Sequence, residues 1–379
     1  MNLQDYFSDT RQQIGTVLTR LFDEETRAAA SMAGTSAEIL GQLGRYACSG
    51  KMLRGILGRL GADLFTWNNS KPTAIDSGLL KLCAALELFQ AGLLVHDDIM
   101  DQDDLRRGKP TLHKSFESAE REMAAGEPFP KLSTLAQKAM REPDFRRLGE
   151  AKGICAGDIF FFEAWKLVAE ADPELAARLS GRFSRELVDV CLAQISDVRF
   201  GSLDPFPSLG AVLEVYVYKT ARYTITLPLC AGVEFAGRID AVPALEAIGE
   251  PLGIVFQLQD DYLGLFGDEK ELGKPVGSDL REGKKTPYMI ALLPWLSSTE
   301  KASFFEIFGR ADIGTNEIDF IRHLVEAHGV DAEIHRMIDS EIERTRTAVE
   351  SFSRDVTGIN PKAFRLLQDF VDYSIARKN

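Results

Sequence analysis

The stretch LLKLCAALELFQAGLLV, residues 79–95, decides the fold class. Leu82, Leu86, Phe89 and Leu93 recur at steps of four, three and four, the spacing that lines one face of an α-helix. Nothing in it alternates with the period of two that a half-buried strand requires. Lys81, Glu87 and Gln90 interrupt the apolar run, which is also shorter than a bilayer demands. It reads as the buried helix of a globular protein, with no transmembrane segment.

The helical period continues outward. Asp172-Pro173 is an N-cap followed by proline at the first helical position. Helical patterning covers 172–199, 211–236, 239–266, 284–296, 316–328, 330–353 and 361–377. β-branched residues alternating with polar ones are almost absent, so the fold is all-α. Breaks fall at Asn68-Asn69-Ser70 and at 126–131, 202–210 and 273–283. A single domain over 1–379 is expected, with an inserted helical hairpin or loop at about 114–148, where charge, alanine and proline accumulate.

The net charge of −13 argues against nucleic acid or an anionic membrane as partner. An anionic substrate would need a local patch of cations. Five cysteines, an odd number with no C-x-x-C spacing, fit reduced thiols in the cytoplasm. The N-terminal MNLQDYFSDTRQQ lacks the apolar core of a signal peptide.

The opening helix runs into HDDIMDQDDLRRGKP, residues 96–110, with five aspartates in eight positions. Asp97 and Asp101 fall one turn apart, roughly 6 Å, on one face, while Asp98 points about 100° away. Two carboxylates beside a negative helix C-terminus repel by several tenths of a kcal/mol or more. Mg²⁺, bound through carboxylates and completed by phosphate oxygens, removes that penalty. A second pair, Asp260-Asp261 in FQLQDDYLGLFGD (256–268), ends another apolar helix, with Gly264 at the i+4 position.

Basic residues accompany both pairs: Arg106 and Arg107 after the first, Lys274 and Lys284 after the second. SGKMLRG (49–55) sets Lys51 and Arg54 one turn apart, and Tyr218-Lys219-Thr220 lies between the clusters. This set suits two polyanionic groups, one held through metal and one by charge-assisted hydrogen bonds. A lone DDxxD is usually a solvated helix end. Two such pairs, each closing an apolar helix and followed by cations, favour metal-diphosphate binding. The EF-hand glycine and glutamate are missing, and no histidine precedes His96 to build a histidine-aspartate phosphohydrolase site.

Six pieces in order carry a resemblance: GK-x-x-R (50–54), ELFQ (87–90), DDIMD with DDLRRGKPTLH (97–113), YKT (218–220), QLQDDYLGLFGD (257–268) and GK-x-x-x-SD-x-x-x-x-K (273–284). Together they resemble the trans-isoprenyl diphosphate synthases, or polyprenyl synthetases, over about 45–290. The resemblance implies a helical bundle around a deep cavity, a homodimer, and up to three Mg²⁺ ions. Asp97 and Asp101 would hold two ions and Asp260 a third, with Asp98 and Asp261 in support. Arg106, Lys219 and Lys284 would contact the allylic diphosphate. Lys51, Arg54, Gln90 and Arg107 would hold isopentenyl diphosphate. The Lys219 carbonyl, Thr220 hydroxyl and Gln257 side-chain oxygen would face the allylic cation, and released diphosphate would take the proton, leaving His96 a packing residue.

Product length follows from the positions above Asp97. Gly92 and Leu93 are not aromatic and leave the floor open there. Phe89, eight residues before Asp97 and roughly 12 Å along the helix, is expected to close the cavity at C20, geranylgeranyl diphosphate. In the other reading Phe89 faces the core and another helix limits growth. Farnesyl and C25 products are the alternatives. The rival classes are a terpene cyclase or head-to-head condensing enzyme, and a non-catalytic subunit of a heteromeric synthase. Gly264→Asp is expected to be tolerated.

Overall fold

The computed structural model describes residues 1–32, 34–66, 74–126, 144–202, 205–267 and 276–376. The helices are α1 (Leu3–Ala28), α2 (Ser36–Cys48), α3 (Leu53–Thr66), α4 (Ala74–Met100), α5 (Leu112–Gly126), α6 (Phe145–Ala171), α7 (Ala176–Ser202) and α8 (Leu209–Val215). A π-helix (Tyr216–Thr226) follows. After it come α9 (Leu227–Phe235), α10 (Val242–Phe266), α11 (Ser278–Arg281), α12 (Pro287–Leu292), α13 (Ser298–Ile307), α14 (Thr315–Ala327), α15 (Val330–Asp355) and α16 (Pro361–Ile375). The fold is all-α as expected. The exception among the described residues is a ribbon in which Leu105–Arg106 pairs antiparallel with Lys109–Pro110. Its turn residues Arg107 and Gly108 have φ of 56° and 71°, the left-handed geometry a two-residue hairpin needs. Two-residue strands are too short to show a period. Residues 127–143, the middle of the expected insert, and the break at 68–70 lie outside the described residues.

Two compact units divide the chain, the first comprising residues 1–14, 52–83 and 168–379. Here α3 and α9 meet backbone to backbone. A Cβ on Gly61 would lie 2.2 Å from the Leu229 carbonyl oxygen, and one on Gly232 would lie 2.0 Å from that of Gly58. Helix α10 packs against both the π-helix and α15, burying Val255, Leu258, Ile334 and Ile338. Each such side chain contributes about 1.5–3 kcal/mol. Asp172 caps the entry to α7 as its sequence suggests, its Oδ1 accepting from the amides of Glu174 (2.9 Å) and Leu175 (3.2 Å). The helix itself starts only at Ala176.

The second unit comprises residues 15–51 and 84–167. Phe160 of α6 packs between Phe22 and Tyr46, with ring centroids 5.9 and 5.8 Å away. Helix α4 is longer than the 79–95 pattern suggests. Ser77–Met100 is long and apolar enough to cross a bilayer, yet 72% of its most apolar stretch is buried inside the protein. Burial, not shortness, accounts for its apolar character.

Candidate active site

In the second unit, α4 delivers the first aspartates. The Asp101 amide still donates to the Asp97 carbonyl (2.8 Å), and the chain then turns at Gln102, φ 58°. Asp97 and Asp101 therefore stand one turn apart at the helix end. Asp97 is half-buried and Asp101 exposed. Asp98 is fully buried, and its Oδ1 accepts a short hydrogen bond from Arg106 Nε. Burial lifts its pKa to about 6, against the lowering pull of Arg106. The ribbon turns Arg106 back onto the helix end, where Nη2 also lies 3.8 Å from Asp97 Oδ2 and 3.6 Å from Asp103 Oδ2. The buried Tyr46 hydroxyl and Asp98 Oδ2 have no hydrogen-bond partner among the described residues. Nothing in the pattern around Tyr46 marks it in advance.

In the first unit, Asp260 is half-buried and Asp261 buried near the end of α10. Asp261 accepts from the Tyr216 hydroxyl (2.6 Å) and from Gln257 Nε2 (3.3 Å). Burial pushes its pKa up to about 7, with Lys284 opposing. Gln257 Oε1 accepts from the Thr220 hydroxyl at 3.2 Å. Lys219 Nζ donates to Asp197 of α7 at 2.7 Å. Burial works against the charge on Lys284, but Asp279, Asp261 and Asp197 outweigh it and raise its pKa. Lys219, Thr220, Gln257, Asp261 and Lys284 thus share one electrostatic neighbourhood, joined by Tyr216, Asp197 and Asp279. Asp279 lies in the SD of the segment 273–284, so its motif carries the signal for it. A Cβ on Gly264 would lie 2.9 Å from Asp279 Oδ2. An aspartate there would press one carboxylate on another, so the expected tolerance requires Asp279 to move.

Three other placements bear on the expected roles. Lys51 and Arg54 do not share a helical turn, because α3 starts at Leu53 and Met52 between them has φ 55°. Arg54 instead donates to Thr224 Oγ1 (2.6 Å) and lies over the Tyr223 ring, 4.6 Å from its centroid. Arg107, at the ribbon tip, donates to the Ser49 carbonyl at 3.4 Å, which brings it beside the stretch carrying Lys51. Gln90 is half-buried on α4.

Phe89 is buried on α4, with its ring edge-on to Trp165 of α6 (5.0 Å) and 6.4 Å from Phe161. Gly92 is a notch filled from α6. A Cβ there would meet Phe161 Cε1 at 2.7 Å and the Gly157 carbonyl at 2.9 Å. Leu93 beside it is half-buried. Phe161 and Trp165, invisible to a reading of α4 alone, complete an aromatic cluster. His96 packs on the same face of α6, with Nε2 3.1 Å from the Ile154 carbonyl and its ring 5.4 Å from that of Phe161.

The donor set suits magnesium. Asp97, Asp101 and Asp260 offer hard carboxylate oxygens, half-buried in Asp97 and Asp260 and exposed in Asp101, whereas Asp98 and Asp261 are buried against protein partners. Among the described residues no three His, Cys, Asp or Glu side chains converge on one point. A cation here would keep positions open for water and phosphate oxygens, as Mg²⁺ does.

Comparison with known proteins agrees. Residues 37–325 match the model of the polyprenyl synthetase family. The chain is 33% identical over 241 residues to a short chain isoprenyl diphosphate synthase of Methanocaldococcus jannaschii, spanning 63% of each chain. It is 28% identical over 338 residues to a geranylgeranyl diphosphate synthase of Saccharolobus solfataricus, spanning 88% of each. It superposes with TM-score 0.84 and 27% identity, over the full length of both chains, on a geranylgeranyl pyrophosphate synthase from Corynebacterium glutamicum complexed with isoprenyl diphosphate and magnesium. The chain belongs to the polyprenyl synthetase family, whose members are magnesium-dependent prenyltransferases.

Proposed function

We propose that the protein condenses isopentenyl diphosphate head-to-tail with an allylic diphosphate and releases geranylgeranyl diphosphate. One observation carries this reading. Each aspartate pair buries one carboxylate against the protein, Asp98 against Arg106 and Asp261 against Tyr216 and Gln257, and leaves its neighbour only half-buried. Asp97 and Asp101 would hold two magnesium ions and Asp260 a third. When bound, magnesium neutralises and orients the oxygens of the allylic diphosphate.

The side chains then divide the chemistry. Arg106, Lys219 and Lys284 stabilise the charge growing on the departing diphosphate. Thr220 donates its proton to Gln257 Oε1, which leaves the hydroxyl lone pairs, with the Lys219 carbonyl and Gln257 oxygen, to face the allylic cation. Lys51, Arg54, Gln90 and Arg107 hold isopentenyl diphosphate while its double bond attacks. Released diphosphate removes the proton. The aromatic cluster of Phe89, Phe161 and Trp165 supports a product closed at C20.

Retention of Asp97, Asp101 and Asp260 speaks against a non-catalytic subunit. The Lys51 and Arg54 stretch speaks against a cyclase, which needs no second diphosphate. The experiment is direct: purified protein, Mg²⁺, labelled isopentenyl diphosphate and C5, C10 or C15 primers, with chromatography of the products. Absence of extension with every primer would reject the reading. Lys51→Ala removes one charge-assisted contact. It should raise the KM for isopentenyl diphosphate about tenfold or more, with the allylic KM moving less. Equal changes in both would remove Lys51 from that subsite.

Assembly as a homodimer and a cytoplasmic setting belong to the same reading. Val188, Leu192, Ile195 and Val198 of α7 are 52, 57, 66 and 40% exposed. Their spacing makes an apolar stripe that a second copy can cover. None of the five cysteines is in a disulfide among the described residues, which fits a reducing compartment. Leu192→Glu with Ile195→Glu should convert a dimer to a monomer in analytical ultracentrifugation. A dimer that survives both changes would place its interface elsewhere.

A further inference from the structure

The π-helix Tyr216–Thr226 carries Lys219 and Thr220, and this geometry is rare. Most of its residues are aromatic or β-branched, so the competing α-helix is a weak alternative. Weak local preference does not by itself choose the wider turn. Something must hold it.

Backbone contact with α10 is one part. With hydrogen bonds running i to i+5, residues five apart fall on successive turns of a π-helix, here Tyr216, Ala221 and Thr226, all buried. Opposite them, α10 presents Gly249, Gly253, Gln257 and Asp261 at steps of four. A Cβ on Gly253 would lie 2.3 Å from Ala221 Cα, and one on Gly249 would lie 2.5 Å from Thr226 Oγ1. Tyr216 reaches Asp261 at the far end of that row.

Arg222 is the other part. Its Nε donates to Glu186 Oε2 at 3.1 Å and its Nη2 to Glu186 Oε1 at 2.5 Å. Nη1 makes a short bond to Glu250, and Nη2 lies 3.8 Å from Glu246. Glu186 belongs to α7 and is buried; Glu246 and Glu250 belong to α10. Arg182 shares Glu246 at 3.4 Å and holds Glu234 at 2.7 Å. Glu250 also lines a groove of about 680 Å³ between α10 and α15. Its pairing is therefore the more screened, and Glu186 is the stronger anchor.

We propose that Arg222 is a positioning residue for prenyl transfer: by tying the π-helix to α7 and α10 at once, it sets where Lys219 and Thr220 stand. Lys219 is three residues away and reaches the same helix α7 through Asp197. A planar, two-pronged guanidinium fixes rotation about the π-helix, which an ammonium does not. The inference rests on the function proposed above.

The test is Arg222→Lys, assayed with Mg²⁺, isopentenyl diphosphate and farnesyl diphosphate, beside circular dichroism and thermal melting. A 10- to 100-fold loss in kcat/KM for the allylic substrate is expected, on the order of what an ångström of misplacement costs. The KM for isopentenyl diphosphate should move less than the allylic one, although Arg54 rests on Thr224 and Tyr223 of the same π-helix. In a Lys219→Met background the same change should lower kcat/KM by clearly less than in wild type, because the part of its effect that passes through Lys219 is gone and only the part through Thr220 remains. Glu250→Gln, at the screened end, should show a smaller loss of the same kind and serves if Arg222→Lys does not fold. A wild-type protein without chain extension rejects the proposed function and this inference with it. An active wild type matched by a folded, equally active Arg222→Lys overturns the positioning role alone. So does a full multiplicative loss in the Lys219→Met background, or a Glu250→Gln protein whose kinetics do not move.

Discussion

Asp101→Ala is expected to lower kcat about a thousandfold, equivalent to about 4 kcal/mol of transition-state stabilisation, with melting unchanged or slightly raised. Asp101 is exposed at the helix end and beside Asp97 contributes repulsion when no cation is bound. Its value lies in the loaded state. Asp98→Ala should behave in the opposite way. Its carboxylate is fully buried against Arg106, so truncation takes the nearest partner from a half-buried guanidinium, leaves it Asp97 and Asp103 at longer range, and costs about 1–3 kcal/mol of stability. Melting curves with and without Mg²⁺ and a diphosphate separate the two. Wild type should gain stability on adding both, and Asp101→Ala should not. A fully active Asp101→Ala protein would contradict the assignment of this cluster.

Phe89→Ala is expected to move the main product beyond C20. Phe89 lies eight residues before Asp97 on α4, roughly 12 Å along the axis, and its ring is held edge-on by Trp165. Removing it opens a cavity and costs about 3–5 kcal/mol, so Phe89→Leu is the gentler companion. Phe161→Ala should lengthen the product as well, because Phe161 fills the notch at Gly92. The product ladder from labelled isopentenyl diphosphate gives the answer. A folded Phe89→Ala and a folded Phe161→Ala that both stop at the wild-type length would leave the floor to other residues.

The helices were legible because each buries a continuous stripe, and a period of 3.6 residues survives over many turns. The aspartate pairs were legible because like charges are crowded only where something binds. Legibility ended where the cause was not local. Tyr46 and Asp197 carry ordinary residue types in ordinary places, and only packing brings them to Asp98 and Lys219. Lys51 and Arg54 read as one helical turn because their spacing allows it. A left-handed Met52 separates them, and no pattern at that position announces one.

From its residues alone this chain was bound to be helical, to need cations at two places, and to join a family of prenyltransferases. The first two follow from periodicity and like-charge repulsion, which are local; the family follows only from the resemblance of six motifs in order. Which aspartate of each pair is committed to the protein, which ring fills the space at Gly92, and why the backbone widens into a π-helix at Lys219 were decided only in three dimensions. Each depends on what a distant segment places against it, and burial, which raises the cost of an unpartnered charge, then makes that choice firm.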